Sequence, residues 1–247
     1  HRRRGVGTAL FEYAVGQVRG LERKRIFGMS QTALPGEPSG VEPGTVFATV
    51  HGAKSGLVDV RRRLDVTSLD EAALDRLLAE AWQRAEGYSL VRWYGTAPED
   101  FVDDVAYLDS RLLADAPMGD LEWEPDRTDA ARVRAIEAAR DARGRRTYHA
   151  GLRHDATGRL VAWTTIDVDA TSRWHAFQQI TLVEPRHRGH RLGTIAKIEN
   201  LRYAMAGEPE LRVIDTFNAA ENVHMISINE AMGFRAVDGW HNWQLNL

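Results

Sequence analysis

The chain has 247 residues, of which 43% are hydrophobic and 27% charged, values typical of a globular protein with one large or two modest domains. Its formal net charge is −3 despite many arginines, which argues against binding to nucleic acid or membrane phosphate through overall positive charge. The absence of cysteine excludes disulfide bonds, thiolate metal sites and a cysteine nucleophile.

The first elements predicted in chain order are a turn, a helix, a strand, a second helix and a second strand. The turn is HRRRGVGT, and apolar residues at helical spacing follow it from Thr8. The run KRIFGMS predicts a strand, the next helix ends near Gly52, and GLVDVRRRLDV predicts the second strand. The segment 67–86 then predicts a helix with Ser68 as its N-cap and Glu71 as the matching capping-box residue.

From residue 87 onward the pattern changes to a longer series of strands and helices. YSLVRWYG predicts a strand, Pro98 opens a helix with acidic residues in its first turn, and a further helix covers about residues 128–142. The strands TYHAGLRH, RLVAWTTIDVD and AFQQITLVEP follow. After them come the turn HRGHRLGT, a helix, the strand LRVIDTFN, a helix ending near Gly233 and the strand FRAVDGWHNWQL.

Two stretches of the chain repeat one pattern. HRRRGVGT at residues 1–8 aligns without a gap with HRGHRLGT at residues 187–194, and turn, helix, strand, helix, strand follows in both places. Strands and helices precede the second copy but not the first. This difference predicts that the first copy lacks its front half and that the numbering starts inside a domain. We therefore expect half of a first domain in 1–66, a linker helix in 67–86 and a complete second domain in 87–247.

The repeated turn is suited to anion binding. Where a strand turns into a helix, backbone N–H groups at the helix N-terminus are unpaired and carry partial positive charge, which favours a pyrophosphate. Glycines let the backbone approach the anion, and arginines can screen it. In the second copy the candidate residues are Arg188, Gly189, His190, Arg191, Leu192, Gly193 and Thr194; in the first they are Arg4, Gly5, Val6, Gly7 and Thr8.

The alternative is that these glycines are ordinary turn residues. A single Gly-containing stretch favours that interpretation, whereas a strand before the loop, a helix after it and a duplicate copy favour anion binding in the second copy. For the first copy both interpretations stay open.

These residues resemble the GCN-related N-acetyltransferase (GNAT) superfamily. The strand end TLVEP, the loop RHRGHRLGT, the strand VIDTFN and the segment NAAENVHMISINEAMGF carry the resemblance. It covers nearly the whole chain except the linker and implies an α/β fold with a mixed sheet in tandem domains, the first incomplete at its N-terminus. Such tandem chains resemble mycothiol synthase and other actinobacterial double acetyltransferases.

The resemblance implies acetyl-CoA as co-substrate and direct acetyl transfer to the amine of a small molecule. The family's loop pattern, Q/R-x-x-G-x-G/A, is met at Arg186 and Gly189, while Arg191 replaces the second glycine. The first copy keeps Gly5 but has Arg3 at the place of the first glycine. The further cofactor contacts implied are Leu182 and Val183 along the pantetheine arm, with Asn218 and Asn222 nearby.

The catalytic positions depart from the family. The tyrosine that usually protonates the leaving thiolate is replaced by Asn229, and by Ala48 in the first copy. The candidate bases are Glu184, Glu122 and Glu124, or a water held by Gln178, Gln179 or Thr181. We take Glu184 and Asn229 as the candidate catalytic positions. The alternative is a catalytically degenerate CoA-binding pair of domains with a regulatory or structural role.

Other partners are constrained by what the sequence lacks. No apolar run reaches the ~20 residues of a membrane span and no signal-peptide pattern opens the chain, so we expect a cytoplasmic protein without a membrane partner. The arginine clusters have no interleaved aromatic residues, and we expect no nucleic-acid partner. The histidines His149, His154, His187 and His190 lack zinc-ligand grouping, so we expect no metal. Monomer and dimer stay open.

Overall fold

The computed structural model describes residues 4–38, 40–123 and 127–247 and has a mixed α/β fold with eight strands in one sheet. The helices are α1 (Val6–Gly20), α2 (Pro43–Val50), α3 (Glu71–Trp82), α4 (Val102–Asp115), α5 (Ala130–Ala142), α6 (Leu192–Gly207) and α7 (Val223–Ala231). The strands are β1 (Arg25–Thr32), β2 (Lys54–Asp65), β3 (Tyr88–Tyr94), β4 (Arg146–His154), β5 (Leu160–Val168), β6 (His175–Val183), β7 (Val213–Ala219) and β8 (Arg235–Asn246). Among the described residues, no helix is both long and apolar enough to cross a membrane.

These elements confirm the predicted order of helices and strands, with shifts at some ends. The first helix begins at Val6, not Thr8, and a short 3-10 turn at Glu99–Phe101 precedes α4. The predicted N-cap of α3 was wrong. The carboxylate of Asp70 accepts a hydrogen bond from the backbone N–H of Ala73 (2.9 Å), while the Ser68 hydroxyl donates to the carbonyl of Asp65 (3.2 Å).

The chain divides into two compact units. The first contains His1–Val60, Met118–Glu122 and Asp238–Leu247, and its strands have the order β1-β8-β2. The second contains Arg61–Pro117 and Trp123–Val237, where the order is β8-β2-β7-β6-β5-β4-β3. The boundaries predicted at residues 66/67 and 86/87 stay a prediction.

The sheet of the second unit includes a strand from the chain before residue 87. Strand β2 lies between β7 and β8. The reason is burial of apolar side chains: Leu64 of β2 is 2% exposed and shares a core with Ile214 of β7 and with Phe234. This burial stabilises β2 in the sheet of the second unit.

Helix α6 is the most buried helix element near the candidate loop. Its Ile198 and Leu201 pack in the core with Ile214 and Phe234, and its Ile195 packs with Leu152 in a second core cluster. The buried residues of the helix are Leu192, Gly193, Thr194, Ile195, Ala196, Lys197, Ile198, Asn200, Leu201 and Ala204. The N-terminus of α6 is therefore fixed on the sheet by close packing.

Candidate functional site

The site begins where β6 and β7 separate. The two strands run parallel and pair only from His175–Phe177 to Val213–Asp215. One further link joins them, because the Thr216 hydroxyl donates to the Gln178 carbonyl at 3.1 Å. Beyond this point β6 continues to Val183 and β7 to Ala219 without described backbone pairing between them. The sheet therefore opens between the carboxyl ends of two neighbouring parallel strands, a place where ligands bind in α/β folds.

Polar side chains of β6 differ in whether they are available to a ligand. The Gln178 amide is buried and donates to the Thr164 hydroxyl and the Thr165 carbonyl, both at 2.9 Å. The hydroxyls of Thr164 and Thr181 lie 2.8 Å apart. Gln179, in contrast, is exposed although its strand is in the middle of the sheet. Of the three side chains predicted to hold a water, Gln179 is the one exposed to solvent.

The loop after β6 presents a row of backbone N–H groups. Gly189 has φ +89° and Arg191 has φ +59°, and α6 begins at the next residue. Among the described residues, the N–H groups of 189–193 have no protein acceptor. A Cβ added to Gly193 would lie 3.6 Å from a methyl of Val183 and 3.8 Å from a methyl of Thr181. The helix N-terminus thus lies directly beside the end of β6, at the opening.

Backbone conformation at the loop has an energetic cost that glycine reduces. Space around Gly189 is open within 4 Å, so an anion can approach its main chain. Arg191 adopts a left-handed conformation that costs an L-residue about 1–2 kcal/mol. Its carbonyl accepts hydrogen bonds from Thr194 (3.0 Å) and Ile195 (3.2 Å), which compensates part of that cost.

Neighbouring groups fix the orientation of the loop side chains. The Arg188 guanidinium lies 3.0 Å from the Asp115 carboxylate, at the end of α4, and donates to the Val183 carbonyl at 3.3 Å. The His190 ring donates to the Arg84 carbonyl at 2.9 Å. The side chains of Arg188 and His190 are thus engaged with the protein, whereas the backbone N–H groups of 189–193 have no described protein acceptor.

Glu184 lies at the start of this loop. Its carboxylate accepts a hydrogen bond from the Arg186 N–H (3.0 Å) and lies 3.8 Å from His187, whose ring is 2.8 Å from the Tyr88 hydroxyl. Burial, followed by the negative charge of Glu184, raises the pKa of Tyr88. Burial lowers the pKa of His187, although Glu184 opposes that change. The role of Glu184 as a base stays a prediction.

The other predicted carboxylates lie elsewhere. Glu122 belongs to the first unit, where it forms an ion pair with Arg25 at 3.0 Å. Glu124 lies outside the described residues, as does Arg3 of the first loop. Glu184 is therefore the predicted base that the structure places beside the opening.

Three asparagines follow the opening on the side of β7. The Asn229 amide is 0% exposed and donates to the Asn218 carbonyl oxygen at 2.6 Å, while its own side-chain oxygen has no partner. Asn222 caps α7 by accepting a hydrogen bond from the Met225 N–H at 3.2 Å, which leaves its NH₂ group available. A neutral amide does not release a proton near pH 7, so Asn229 cannot replace the acidic tyrosine.

The first-copy loop has a similar turn but a different setting. Gly5, with φ +80°, is the N-cap of α1, and its carbonyl accepts from the Ala9 N–H at 3.0 Å. A Cβ on Gly7 would come within 3.3 Å of the Phe47 ring, and Val6 is 55% exposed. The structure places Arg4 to Thr8 at the start of α1.

Sequence reasoning did not single out Lys197. This lysine of α6 is 1% exposed, and its Nζ lies 5.5 Å from the centre of the Phe234 ring. Burial lowers its pKa to about 7. A signal was available, because a lysine between Ile195 and Ile198 lies in an apolar helix segment of a chain with few lysines.

Comparisons with known proteins agree with this geometry. No protein-family model matches the sequence, and curated protein sequences give no match. Among solved structures, a tandem GNAT protein from the clavulanic acid biosynthesis pathway is 32% identical with a TM-score of 0.79, over 100% of this chain and 71% of that one.

Two further structures share the fold at low identity. A GCN5-related N-acetyltransferase from Sphaerobacter thermophilus is 10% identical with a TM-score of 0.61, over 99% of this chain and 69% of that one. The glucosamine N-acetyltransferase region of a fungal multi-domain GH3 β-N-acetylglucosaminidase is 13% identical with a TM-score of 0.63, over 99% of this chain and 28% of that one. Since the first match is above 30% identity over the full length, the chain belongs to the GNAT acetyltransferase superfamily.

Proposed function

We propose that this protein transfers an acetyl group from acetyl-CoA directly to the amine of a small molecule, and that this chemistry takes place in the second unit. The observation that carries the proposal is the row of unpaired backbone N–H groups at 189–193 beside the opening between β6 and β7. A cytoplasmic location, with no nucleic-acid, membrane or metal partner, belongs to the same proposal.

The cofactor would bind from the helix N-terminus toward the opening. The backbone N–H groups of the loop and the positive end of the α6 dipole favour the pyrophosphate of acetyl-CoA. The pantetheine arm would continue along Leu182 and Val183, because beyond Phe177 this edge of β6 has no described pairing to β7. The available NH₂ group of Asn222, at the start of α7, would donate to the arm from the other side.

The chemistry needs three contributions from the chain. A strand N–H of β6 would polarise the thioester carbonyl and stabilise the oxyanion that forms on attack. The acceptor amine must lose a proton, either to Glu184 or to a water held by Gln179. The thiolate of CoA then leaves, and a thiolate is a tolerable leaving group near neutral pH because ordinary thiols have a pKa of about 8.5.

A second function is favoured by one observation. Asn229 occupies the position of the usual acid, and its buried amide holds Asn218. This arrangement suits a protein that binds acetyl-CoA without turning it over. The two functions share the binding site and differ in catalysis.

The proposed binding site is tested by calorimetric titration with acetyl-CoA and CoA. Gly189→Asp places a carboxylate against the pyrophosphate and should weaken binding at least about tenfold, which is ~1.4 kcal/mol. Gly189→Ala separates the strain of the positive φ from the charge. Gly95→Asp is the matched control, because Gly95 also has a positive φ and open space around it. Equal affinities in Gly189→Asp and the wild type, with the fold intact, would remove this loop from the site.

Turnover separates the two functions. The release of free thiol is followed with a thiol reagent while a panel of small-molecule amines is supplied with acetyl-CoA. An enzyme releases CoA only with certain amines, whereas a degenerate binder shows tight binding and no amine-dependent release. Binding without release across a broad panel would support the second function.

A further inference from the structure

Lys197 is a buried cation that the mechanism above does not use. Its side chain is 1% exposed, and its helix neighbours Ile195 and Ile198 are both 0% exposed. Burying a lysine costs free energy, because burial disfavours its charged form. A fully buried lysine is therefore a candidate for a specific role. The chain has only two other lysines, Lys24 and Lys54, so its position is not a matter of lysine abundance.

The helix directs Lys197 toward the candidate site. Lys197 comes four residues after Gly193, so both lie on one face of α6, a single turn apart. Gly193 is the residue that lies against Thr181 and Val183 at the end of β6. Lys197 thus lies on the same face of α6 as Gly193, the face that packs against the end of β6.

The amine also packs against Phe234, which follows the end of α7. Its Nζ is 5.5 Å from the centre of the Phe234 ring. The Phe234 N–H donates to the main-chain carbonyl of Asn229 at 2.9 Å, so the backbone of Phe234 is held at the end of α7 where Asn229 is located. The Asn229 side-chain oxygen is buried without a partner. Lys197 therefore packs against the residue whose main chain closes the end of α7 that carries Asn229.

Other ionisable groups near α6 are engaged with partners of their own. The pairs are Asp215 with Arg61, Arg63 and His175, Glu230 with Arg62, Glu199 with Arg92, Glu208 with Arg146 and Tyr148, and Arg202 with Glu71 and Asp75. Burial is the cause of the lowered pKa of Lys197, about 7. A group with that pKa is present in both protonation states near neutral pH, as a general acid must be.

We propose that Lys197 takes the place of the missing tyrosine and protonates the sulfur of the departing CoA. This role rests on the proposed acetyl transfer. As the acceptor nitrogen forms its bond to the acetyl carbon and the C–S bond breaks, the Lys197 ammonium gives its proton to the thiolate. The proton lost by the acceptor nitrogen passes to the base or to water, and Lys197 regains one from water, so that the products are the amide and CoA thiol.

The kinetic test compares Lys197→Met, which keeps the length and apolar stem, with the matched controls Lys24→Met and Lys54→Met. For Lys197→Met we expect kcat to fall by about 100-fold, while the dissociation constant of acetyl-CoA stays within about twofold, and we expect both controls to behave as the wild type. The wild-type kcat should have a limb that decreases as pH rises through the Lys197 pKa, and this limb should be absent in Lys197→Met. Lys197→Arg, which stays charged but donates poorly, should resemble Lys197→Met in kcat.

The outcomes separate this role from the proposed function. A wild type that does not bind acetyl-CoA would overturn both. Binding without turnover would support the degenerate binder and overturn the role of Lys197. Turnover that Lys197→Met leaves unchanged, with the same pH profile, would overturn the role and leave acetyl transfer in place.

A titration that does not depend on turnover gives an independent readout. In protein labelled with ¹³C at the lysine side chains, the signal that Lys197→Met removes should titrate near pH 7, the value expected from its burial. Lys24→Met and Lys54→Met assign the other signals. A Lys197 signal that stays protonated to above pH 10 would contradict the proposal, since such an amine would not release its proton near neutral pH.

Discussion

Helices α1 and α6 follow similar Gly-Thr loops but differ in how much of each helix is buried. Both begin after a residue with positive φ, Gly5 in one case and Arg191 in the other. Helix α6 buries most of its first two turns, whereas α1 has no buried residue, with Leu10 65% and Tyr13 68% exposed. Helix α1 contacts α2 through the rings of Phe11 and Phe47, 5.9 Å apart.

The two loops therefore share a pattern but differ in how firmly their helices are packed. A helix N-terminus binds tightly only if its N–H groups are held in place beside the rest of the ligand's path, because ordering them on binding costs entropy. Packing holds α6 against β6, and beyond Phe177 and Asp215 the strands β6 and β7 have no described pairing. The predictions below test whether packing explains the contrast.

The largest expected effect is on the free energy of unfolding when an apolar side chain of α6 or of α1 is truncated. Ile198→Ala removes a fully buried side chain from α6 and should reduce the free energy of unfolding by about 2–5 kcal/mol. Leu10→Ala in α1 should change it by less than about 0.5 kcal/mol, because Leu10 is 65% exposed. Urea denaturation followed by tryptophan fluorescence measures both. Equal losses would mean that α1 is anchored as firmly as α6.

The next effect concerns the two loops as cofactor sites. Gly5→Asp should leave acetyl-CoA affinity and turnover unchanged, whereas Gly189→Asp should weaken binding by ~1.4 kcal/mol or more. Both glycines have positive φ and open space, so the two substitutions introduce similar strain. If Gly5→Asp abolished turnover and Gly189→Asp did not, the active site would belong to the first copy.

Capping of α7 by Asn222 should have an effect of intermediate size. Asn222→Ala loses the acceptor for the Met225 N–H and should cost about 1 kcal/mol of stability. Asn222→Asp keeps an acceptor oxygen but loses the NH₂ group, so it should preserve stability and still reduce acetyl transfer. Thermal unfolding and thiol release measure the two effects. Normal transfer by Asn222→Asp would exclude a donor role for this amide.

The smallest effect is expected at Glu42, which precedes α2 in the first copy and whose side chain makes no capping hydrogen bond to the helix backbone. Hydrogen bonds from Thr32, then from Thr45, lower the pKa of this carboxylate, although burial opposes them. Because the folded pKa lies below the unfolded one, the stabilisation is present above about pH 4.5 and is lost as pH falls through the lowered value. The carboxylate is near solvent, so we expect less than ~1 kcal/mol.

Glu42→Gln tests this small stabilisation by the charged carboxylate. Its unfolding free energy should be slightly below that of the wild type at pH 7, and the difference should disappear at about pH 3. Glu37→Gln is the matched control on the same loop. A difference that is independent of pH would show that the hydroxyl contacts of Glu42 do not depend on its charge.

Much of the site was predictable from local signals. Glycine and Thr at a strand-to-helix transition predicted the unpaired N–H groups at 189–193, because helix termini always leave such groups. The resemblance named Asn222 as a cofactor contact, and only the structure shows that it is the N-cap of α7, where its side chain accepts a hydrogen bond. The choice between Ser68 and Asp70 as the N-cap of α3 was not decided by the pattern, since both residue types cap helices and the turn before α3 engages Ser68.

By itself the sequence determined the order of helices and strands, the repeat and the two glycine loops, because apolar periodicity and turn residues act over a few neighbouring positions. Tertiary structure alone decided that β2 lies between β7 and β8, that β6 and β7 separate after Phe177, and that Lys197 is buried beside Phe234. These features depend on contacts between residues distant in the chain, where the burial of apolar surface and not local propensity sets the arrangement.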